Sequence, residues 1–238
     1  MNAFPEFNRQ HFLTRIAETP LWDILIIGGG ATGAGIAVDA ASRGYRTLLL
    51  EQSDFGKGTS SHSTKLIHGG VRYLEQGNLK LVTEALRERE RLLHNAPHLV
   101  HDLSFVIPAF KWWEKPYYAL GLKAYDWLAG RQSFGKSHGV SREEVRKRLL
   151  GLKPDALRGG VLYHDGQFDD ARLVINLMQT AAEQGATTLN YCRVEQLLKS
   201  SDGRVRGVEF TDVETGQRNT VQAKCVINAT GPFSDGIR

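Results

Sequence analysis

At 238 residues, with 41% hydrophobic and 24% charged side chains, the chain has a globular make-up and can bury one large core or two intertwined lobes, which excludes a disordered or collagen-like chain. A net charge of +4 helps attract anionic substrates or lipid head groups, but it is too diffuse to argue for nucleic acid, and no recognition motif does so. Cys192 and Cys225 lie far apart and outside any Cys-x-x-Cys or Cys/His set, which argues against a metal site or redox dithiol and for two buried, unreactive thiols.

Residues 1–20 suit a short amphipathic helix, with Phe4, Phe7, Phe12 and Ile16 partly on one side and Pro20 as its stop. The charges of Glu6, Arg9, Arg15 and Glu18 interrupt what a signal peptide would need as an apolar run, and no later run is long enough to span a bilayer. A reducing, cytoplasmic setting is expected.

Next comes an apolar strand, Trp22–Ile27, that breaks at Gly28-Gly29-Gly30-Ala31-Thr32-Gly33-Ala34-Gly35 and reopens as a helix. Gly28, Gly30 and Gly33 have the G-x-G-x-x-G spacing: the first permits a tight turn, the second lets backbone approach a pyrophosphate, and the third lets helix and strand pack closely. The unpaired N–H groups of the helix start then face the anion. Ile36, Ala37, Ala40 and Ala41 give the helix a small apolar face, and Gly44 stands where a left-handed cap is needed. A second buried strand at 46–50 ends in Glu51. That acid lies about 20 residues past the turn, where a carboxylate can accept from a ribose hydroxyl.

Residues 52–77 are rich in glycine and hydroxyls and read as a ligand-facing loop. From 78 to 95, Leu79, Val82, Leu86 and Leu93 fall at helical spacing, with Arg87, Glu88, Arg89, Glu90 and Arg91 expected on a solvated face. Residues 105–130 interleave Phe105, Phe110, Trp112, Trp113, Tyr117, Tyr118, Tyr125 and Trp127 with Lys111, Lys115 and Lys123. Such a stretch suits a monotopic membrane surface or the core of a small helical lobe. The core reading is favoured, because no long clean amphipathic face can be drawn. A helix at 170–184 and a strand at 187–191 follow; segments 205–212 and 219–223 read as a hairpin around Glu214-Thr215-Gly216, leading into a buried strand at 225–228. That strand ends in Ala229-Thr230-Gly231-Pro232, a small-residue turn that would bring backbone amides close to a cofactor.

The glycine stretch, with Asp39, Arg43 and Gly44, resembles the FAD-dependent, quinone-linked glycerol-3-phosphate dehydrogenases. The resemblance continues through the far more specific block Thr59-Ser60-Ser61-His62-Ser63-Thr64-Lys65-Leu66-Ile67-His68-Gly69-Gly70-Val71-Arg72-Tyr73-Leu74-Glu75, and on to Asp169-Asp170-Ala171-Arg172-Leu173 and Asn228-Ala229-Thr230-Gly231-Pro232. It implies an α/β fold: a Rossmann-like FAD-binding domain of the FAD-dependent oxidoreductase (D-amino-acid oxidase-like) type with an inserted lobe. The expected division is an N-terminal extension (1–21), a first FAD-binding segment (22–77), an inserted helical lobe (78–160) and a second FAD-binding segment with a β-hairpin (161–238).

The implied reaction is oxidation of sn-glycerol 3-phosphate to dihydroxyacetone phosphate in glycerol metabolism, with electrons passed to a membrane quinone. The implied location is cytoplasmic, peripheral on the inner face of the cytoplasmic membrane, with a homodimer left open. Carried over residue by residue, Gly28, Gly30, Thr32 and Gly33 sit at the FAD pyrophosphate and Glu51 at the adenosine ribose. Thr59, Ser60, Ser63, Lys65, Leu66, His68 and Gly69 line the stretch from pyrophosphate to flavin, while Val194, Thr230 and Gly231 reach the cofactor through their backbones. Arg72 and Tyr73 match the substrate side. An arginine fork suits phosphate oxygens, so Arg72 is the expected anchor; Tyr73 can hydrogen-bond substrate or merely pack; His68 is either a flavin contact or the base.

The family's second glycine-rich signature and its C-terminal domain have no counterpart in this sequence, so the C-terminal part of the family fold is expected to be missing. This keeps a second reading open: a truncated flavoprotein fragment that binds FAD weakly or serves only in assembly. Another FAD oxidase of the same fold would share the glycine turn without the block around Lys65 to Leu74.

Overall fold

The computed structural model describes residues 7–67, 78–129, 135–153 and 155–237. The chain divides into two compact units, one built from residues 1–63 and 170–238, the other from 64–169. In chain order the first unit begins with α1 (Arg9–Glu18), β1 (Trp22–Ile27), α2 (Ala31–Ser42) and β2 (Thr47–Leu50). The second holds β3 (Leu66–Ile67), α3 (Leu79–Asn95), β4 (Val100–Ala109), α4 (Glu114–Ala129), β5 (His138–Val140), α5 (Arg142–Arg148) and β6 (Gly159–Phe168). The chain then returns to the first unit with α6 (Asp170–Glu183), β7 (Thr187–Leu189), β8 (Cys192–Lys199), β9 (Val205–Asp212) and β10 (Arg218–Asn228).

In the first unit the six strands run in the order β7-β2-β1-β10-β9-β8. β7, β2, β1 and β10 are parallel neighbours, whereas β9 pairs antiparallel with both β10 and β8. Strand alternation sorts the apolar residues. Leu25, Ile27, Leu48 and Leu50 join Phe12, Trp22 and Phe210 on one face, and Ile26 and Leu49 meet the helices on the other. There Ala34, Ala37 and Ala41 of α2 let it lie close to Val174, Met178 and Ala181 of α6. Each large buried aliphatic side chain contributes about 1.5–3 kcal/mol by leaving water.

The stretch expected as an N-terminal extension is built into this unit. Phe12 of α1 is buried in its core, and Arg9 donates to the Asn190 carbonyl at 2.7 Å while pairing with Asp212 at 2.9 Å and Glu214 at 2.7 Å. The hairpin and the buried strand expected at 219–223 and 225–228 form one continuous strand: β10 pairs antiparallel with β9 through Gln222 and parallel with β1 from Ala223 onward.

In the second unit β4 and β6 pair antiparallel along ten positions, from Val100 opposite Phe168 to Ala109 opposite Gly159, and β3 and β5 pair with β6 as well. The lobe expected as helical over 78–160 is therefore a mixed layer whose boundaries fall at 64 and 169. Val140, Val145, Leu157 and Leu162 form a small core beneath α5. Arg89, expected on a solvated face, is 1% exposed. It follows Val82 and Leu86 on the inward stripe of α3, pairs with Asp165 of β6 at 2.8 Å and donates to the Tyr125 hydroxyl at 3.1 Å. Conversely, Leu79 lies exposed at the start of α3.

The aromatic stretch runs from Phe105 in β4 through a turn into α4, and only part of it is core. Leu122 and Tyr125 are buried, while Trp112, Trp113, Tyr117, Leu120 and Trp127 are exposed. A clean outward face exists after all, hidden in the sequence because both sides of the helix are apolar. Among the described residues, no helix is long and apolar enough to cross a membrane.

Candidate functional site

The first unit carries a cleft of about 730 Å³ above the carboxyl ends of β1, β2 and β10. Its floor is the β1–α2 turn. Gly28, at φ 111°, donates to the Leu50 carbonyl at 2.9 Å, and a β-carbon there would lie 2.6 Å from the Ala229 carbonyl oxygen. A β-carbon on Gly33 would lie 1.9 Å from the Gly28 carbonyl oxygen, so only glycine permits this contact between helix and turn. Gly30 is the N-cap of α2 and supplies no side chain. The first amides of α2 lack an intrahelical acceptor, and Ala31 N–H is met by the Ser60 hydroxyl at 2.9 Å.

Glu51 follows β2 directly and accepts from Gly29 N–H at 2.6 Å and Ser53 N–H at 2.8 Å. These bonds hold the carboxylate beside the turn. The β7–β8 corner is stitched to the same place: Cys192 N–H donates to the Glu51 carbonyl at 2.7 Å, and Tyr191, at φ 52°, donates to the Ser53 carbonyl at 3.1 Å. This brings Cys192, Arg193 and Val194 to one wall. The opposite wall follows β10, where the Asn228 side-chain oxygen accepts from Thr230 N–H at 3.1 Å and from its hydroxyl at 2.6 Å, fixing the turn that carries Thr230 and Gly231.

Of the residues singled out in the sequence, Gly28, Gly30, Thr32, Glu51, Thr59, Ser60, Val194, Thr230 and Gly231 line this one cleft. Gly33 lies behind the turn, in the packing of α2. Ser63 does not line the cleft; its N–H and hydroxyl donate to Asp170, at 3.1 and 2.7 Å, which ties the loop to the start of α6. Lys65 and Leu66 belong to the second unit: Lys65 sits at φ 58° and its carbonyl accepts from Phe168 N–H at 3.0 Å, and Leu66 starts β3. His68, Gly69, Arg72 and Tyr73 lie outside the described residues.

Gln52 and Ser53, within the stretch read as a ligand-facing loop but not singled out, and Arg193, Glu195 and Phe233, which sequence reasoning passed over, also line the cleft. The polar composition of 52–58 was the available signal for the first two; nothing local marks the others. Arg193 pairs with Glu195 at 2.9 Å, and this hydrogen bond holds the Glu195 carboxyl below its ordinary range. Cys192 is buried, as expected, and desolvation pushes its thiol up to about 11. Cys225, also expected to be buried, is exposed. Among the described residues no cluster of His, Cys, Asp and Glu is arranged to hold a metal.

The cleft therefore offers bare backbone at a helix start, an acid fixed at the end of the next strand, and two walls of backbone. A dinucleotide fits this donor set: the pyrophosphate can approach Gly30 where a larger side chain would stand, and a ribose can reach Glu51.

The description "FAD dependent oxidoreductase" belongs to the family model that matches residues 23–238. The mitochondrial glycerol-3-phosphate dehydrogenase of Saccharomyces cerevisiae is 48% identical over 243 residues, covering 99% of this chain and 37% of its own length. The corresponding protein of Macaca fascicularis is 49% identical over 243 residues, covering 97% and 33%. Among solved structures, the glycerol-3-phosphate dehydrogenase of Bacillus halodurans complexed with FAD has a TM-score of 0.73 at 33% identity, over 95% of this chain and 37% of that one. The chain spans about a third of the length of the curated relatives it matches. The glycine turn, the acid of β2 and the family match agree: the chain belongs to the FAD-dependent oxidoreductases, flavoenzymes whose cofactor is FAD.

Proposed function

We propose that FAD lies in the cleft of the first unit and that the protein oxidises sn-glycerol 3-phosphate to dihydroxyacetone phosphate. The observation that carries this reading is the gathering of Gly28, Gly30, Glu51, Val194 and Thr230 around one cleft at the start of α2, joined to relatives named glycerol-3-phosphate dehydrogenase. The pyrophosphate rests on the first amides of α2, Glu51 accepts from the adenosine ribose, and the backbones of Val194, Thr230 and Gly231 hold the remainder. Ser60, already bonded to Ala31 N–H, keeps the hydroxyl-rich loop against the pyrophosphate end.

When bound, FAD supplies the hydride acceptor for a secondary alcohol. The chain's residues must then hold a phosphate dianion and remove the hydroxyl proton. Arg72 is the phosphate anchor, Tyr73 a substrate contact and His68 the candidate base, as the resemblance implies. Electrons pass to a membrane quinone, and in this reading the protein is peripheral on the inner face of the cytoplasmic membrane.

Purified chain should show the yellow of bound flavin and bleach when sn-glycerol 3-phosphate is added without an acceptor. A coloured chain that substrate leaves unbleached overturns the activity, and a colourless one overturns the cofactor site. In the active protein, Arg72→Ala should retain flavin yet lower kcat/KM about 10- to 100-fold, since hydrogen bonds to a charged group contribute about 1.5–3 kcal/mol. An unchanged kcat/KM removes Arg72 from the substrate site.

A further inference from the structure

We propose that the outward face of α4, with the turn before it, docks on the anionic surface of a lipid bilayer; this gives the membrane-side reading above a location, and rests on that reading for its purpose alone. Trp113, Tyr117, Leu120, Ala124 and Trp127 recur at three- and four-residue intervals and so share one side of the helix. Every one of them is exposed, Leu120 at 73% and Trp127 at 81%, and Trp112 in the preceding turn is 77% exposed. Opposite them, Leu122 and Tyr125 are buried, so the core is already served by the other side. Three of the chain's four tryptophans stand here, while the fourth, Trp22, is buried in the first unit.

The charges of the segment are sorted as well. Glu114 accepts from Phe110 N–H at 2.7 Å and Lys111 N–H at 3.0 Å, which holds its carboxyl below the ordinary range. Asp126 accepts from Ser137 N–H at 2.8 Å and its hydroxyl at 2.6 Å. Both carboxylates thus serve the backbone, while Lys111 and Lys123 are exposed, and the Lys111 ammonium lies 5.6 Å from the Trp113 ring centroid. A protein–protein interface also favours tryptophan and tyrosine but is depleted in lysine, so the exposed lysines at the margin of this face are what set it apart. Indole and phenol rings with lysines at their margin suit the head-group layer, where an aromatic body enters the apolar boundary, its N–H or O–H stays hydrated, and ammonium groups meet lipid phosphates.

The test uses the full chain with vesicles of phosphatidylcholine, alone or mixed with phosphatidylglycerol. Binding should be stronger to the mixed vesicles and fall with salt. Tryptophan emission should shift to the blue and be quenched by lipids brominated in the acyl chain. Replacing Leu120 and Trp127 by Ser should weaken partitioning about tenfold or more, because each removes a large apolar contact. The exposed positions leave folding intact, which retained flavin colour and far-ultraviolet circular dichroism verify. The lipid proposal fails if the chain ignores both vesicles, if binding survives the double substitution, or if emission is unquenched while the same substitutions disperse a dimer. Flavin bleaching in the same samples separates the two readings: vesicle binding without bleaching overturns the activity and leaves this surface standing, and bleaching without vesicle binding does the reverse.

Discussion

Two glycines do different work in the same turn. Gly33 has its absent β-carbon against the Gly28 carbonyl, 1.9 Å away. Gly33→Ala must therefore move backbone, and overpacking of this kind costs about 1–3 kcal/mol; a lowered denaturation midpoint in urea should report it. At Gly30 the only near atom among the described residues is the Ser60 hydroxyl oxygen, at 3.0 Å, so Gly30→Val should leave the fold standing and block the phosphate approach. The expected result is purified protein without flavin absorbance; full flavin occupancy would displace the pyrophosphate from this turn. The cysteines differ by burial in the same way. At pH 8 iodoacetamide should label exposed Cys225 and leave Cys192, pushed up to about 11 by burial, largely unmodified. Mass spectrometry of the tryptic peptides tells them apart.

Elements are held by contacts across long stretches of chain. Arg89 and Asp165 join α3 to β6 with both side chains buried. Arg89→Met removes the cation that pairs with the buried Asp165 carboxylate and should cost about 3–5 kcal/mol, seen as a fall in melting temperature that Arg89→Met with Asp165→Leu partly restores. At the start of β1, Asp23 is held by Arg46 at 3.2 Å and Lys224 at 2.7 Å, from the sheet's neighbouring strands. The Arg46 hydrogen bond, then that of Lys224, keeps this carboxyl well below the usual range. Its contribution is present above the ordinary carboxylate pKa and is lost as pH falls through the depressed folded value. Asp23→Asn should therefore lower stability at neutral and higher pH, change little once the wild-type carboxyl is protonated, and so flatten the acid limb of a stability–pH curve. These links also explain what the sequence hid. The βαβ start is legible because its residues are neighbours, with glycine turn, alanine face and terminal acid in register. Arg89 reads as solvated because Asp165 lies in a distant strand. β4 escaped because His101, Asp102 and Pro108 break any two-residue alternation, and its partner β6 lies beyond two helices. In α4 the period was present, but apolar residues on both sides obscured which would face outward.

At the scale of the molecule, the chain leaves the first unit after Ser63 and returns at Asp170, and these two residues hydrogen-bond to each other. The return point thus closes the base of the excursion, whatever happens between. A ligand that binds only folded protein stabilises it by mass action, about 2.7 kcal/mol at a hundred times its dissociation constant. Added FAD should accordingly slow hydrogen exchange most in β1, β2, β8 and β10, with β4 and β6 much less affected. Equal protection of both units would argue against a cofactor seated in the first alone. The site's backbone was legible from the glycine spacing, whereas its walls at Arg193, Glu195 and Phe233 were not, because the β7–β8 corner and the end of β10 are brought there by sheet order and not by proximity in sequence.

β10 is one strand with two sets of neighbours, and its register acts as a ruler laid between surface and cleft. One residue added inside it would advance the chain by about 3.3 Å and carry Ala229 away from its seat over Gly28, while an addition at the exposed 201–203 turn between β8 and β9, where a β-carbon on Gly203 would meet no atom within 4 Å among the described residues, leaves the ruler unread. That turn is the natural place to graft a peptide tag or fluorescent reporter, with the flavin's own colour showing that the strand has kept its count.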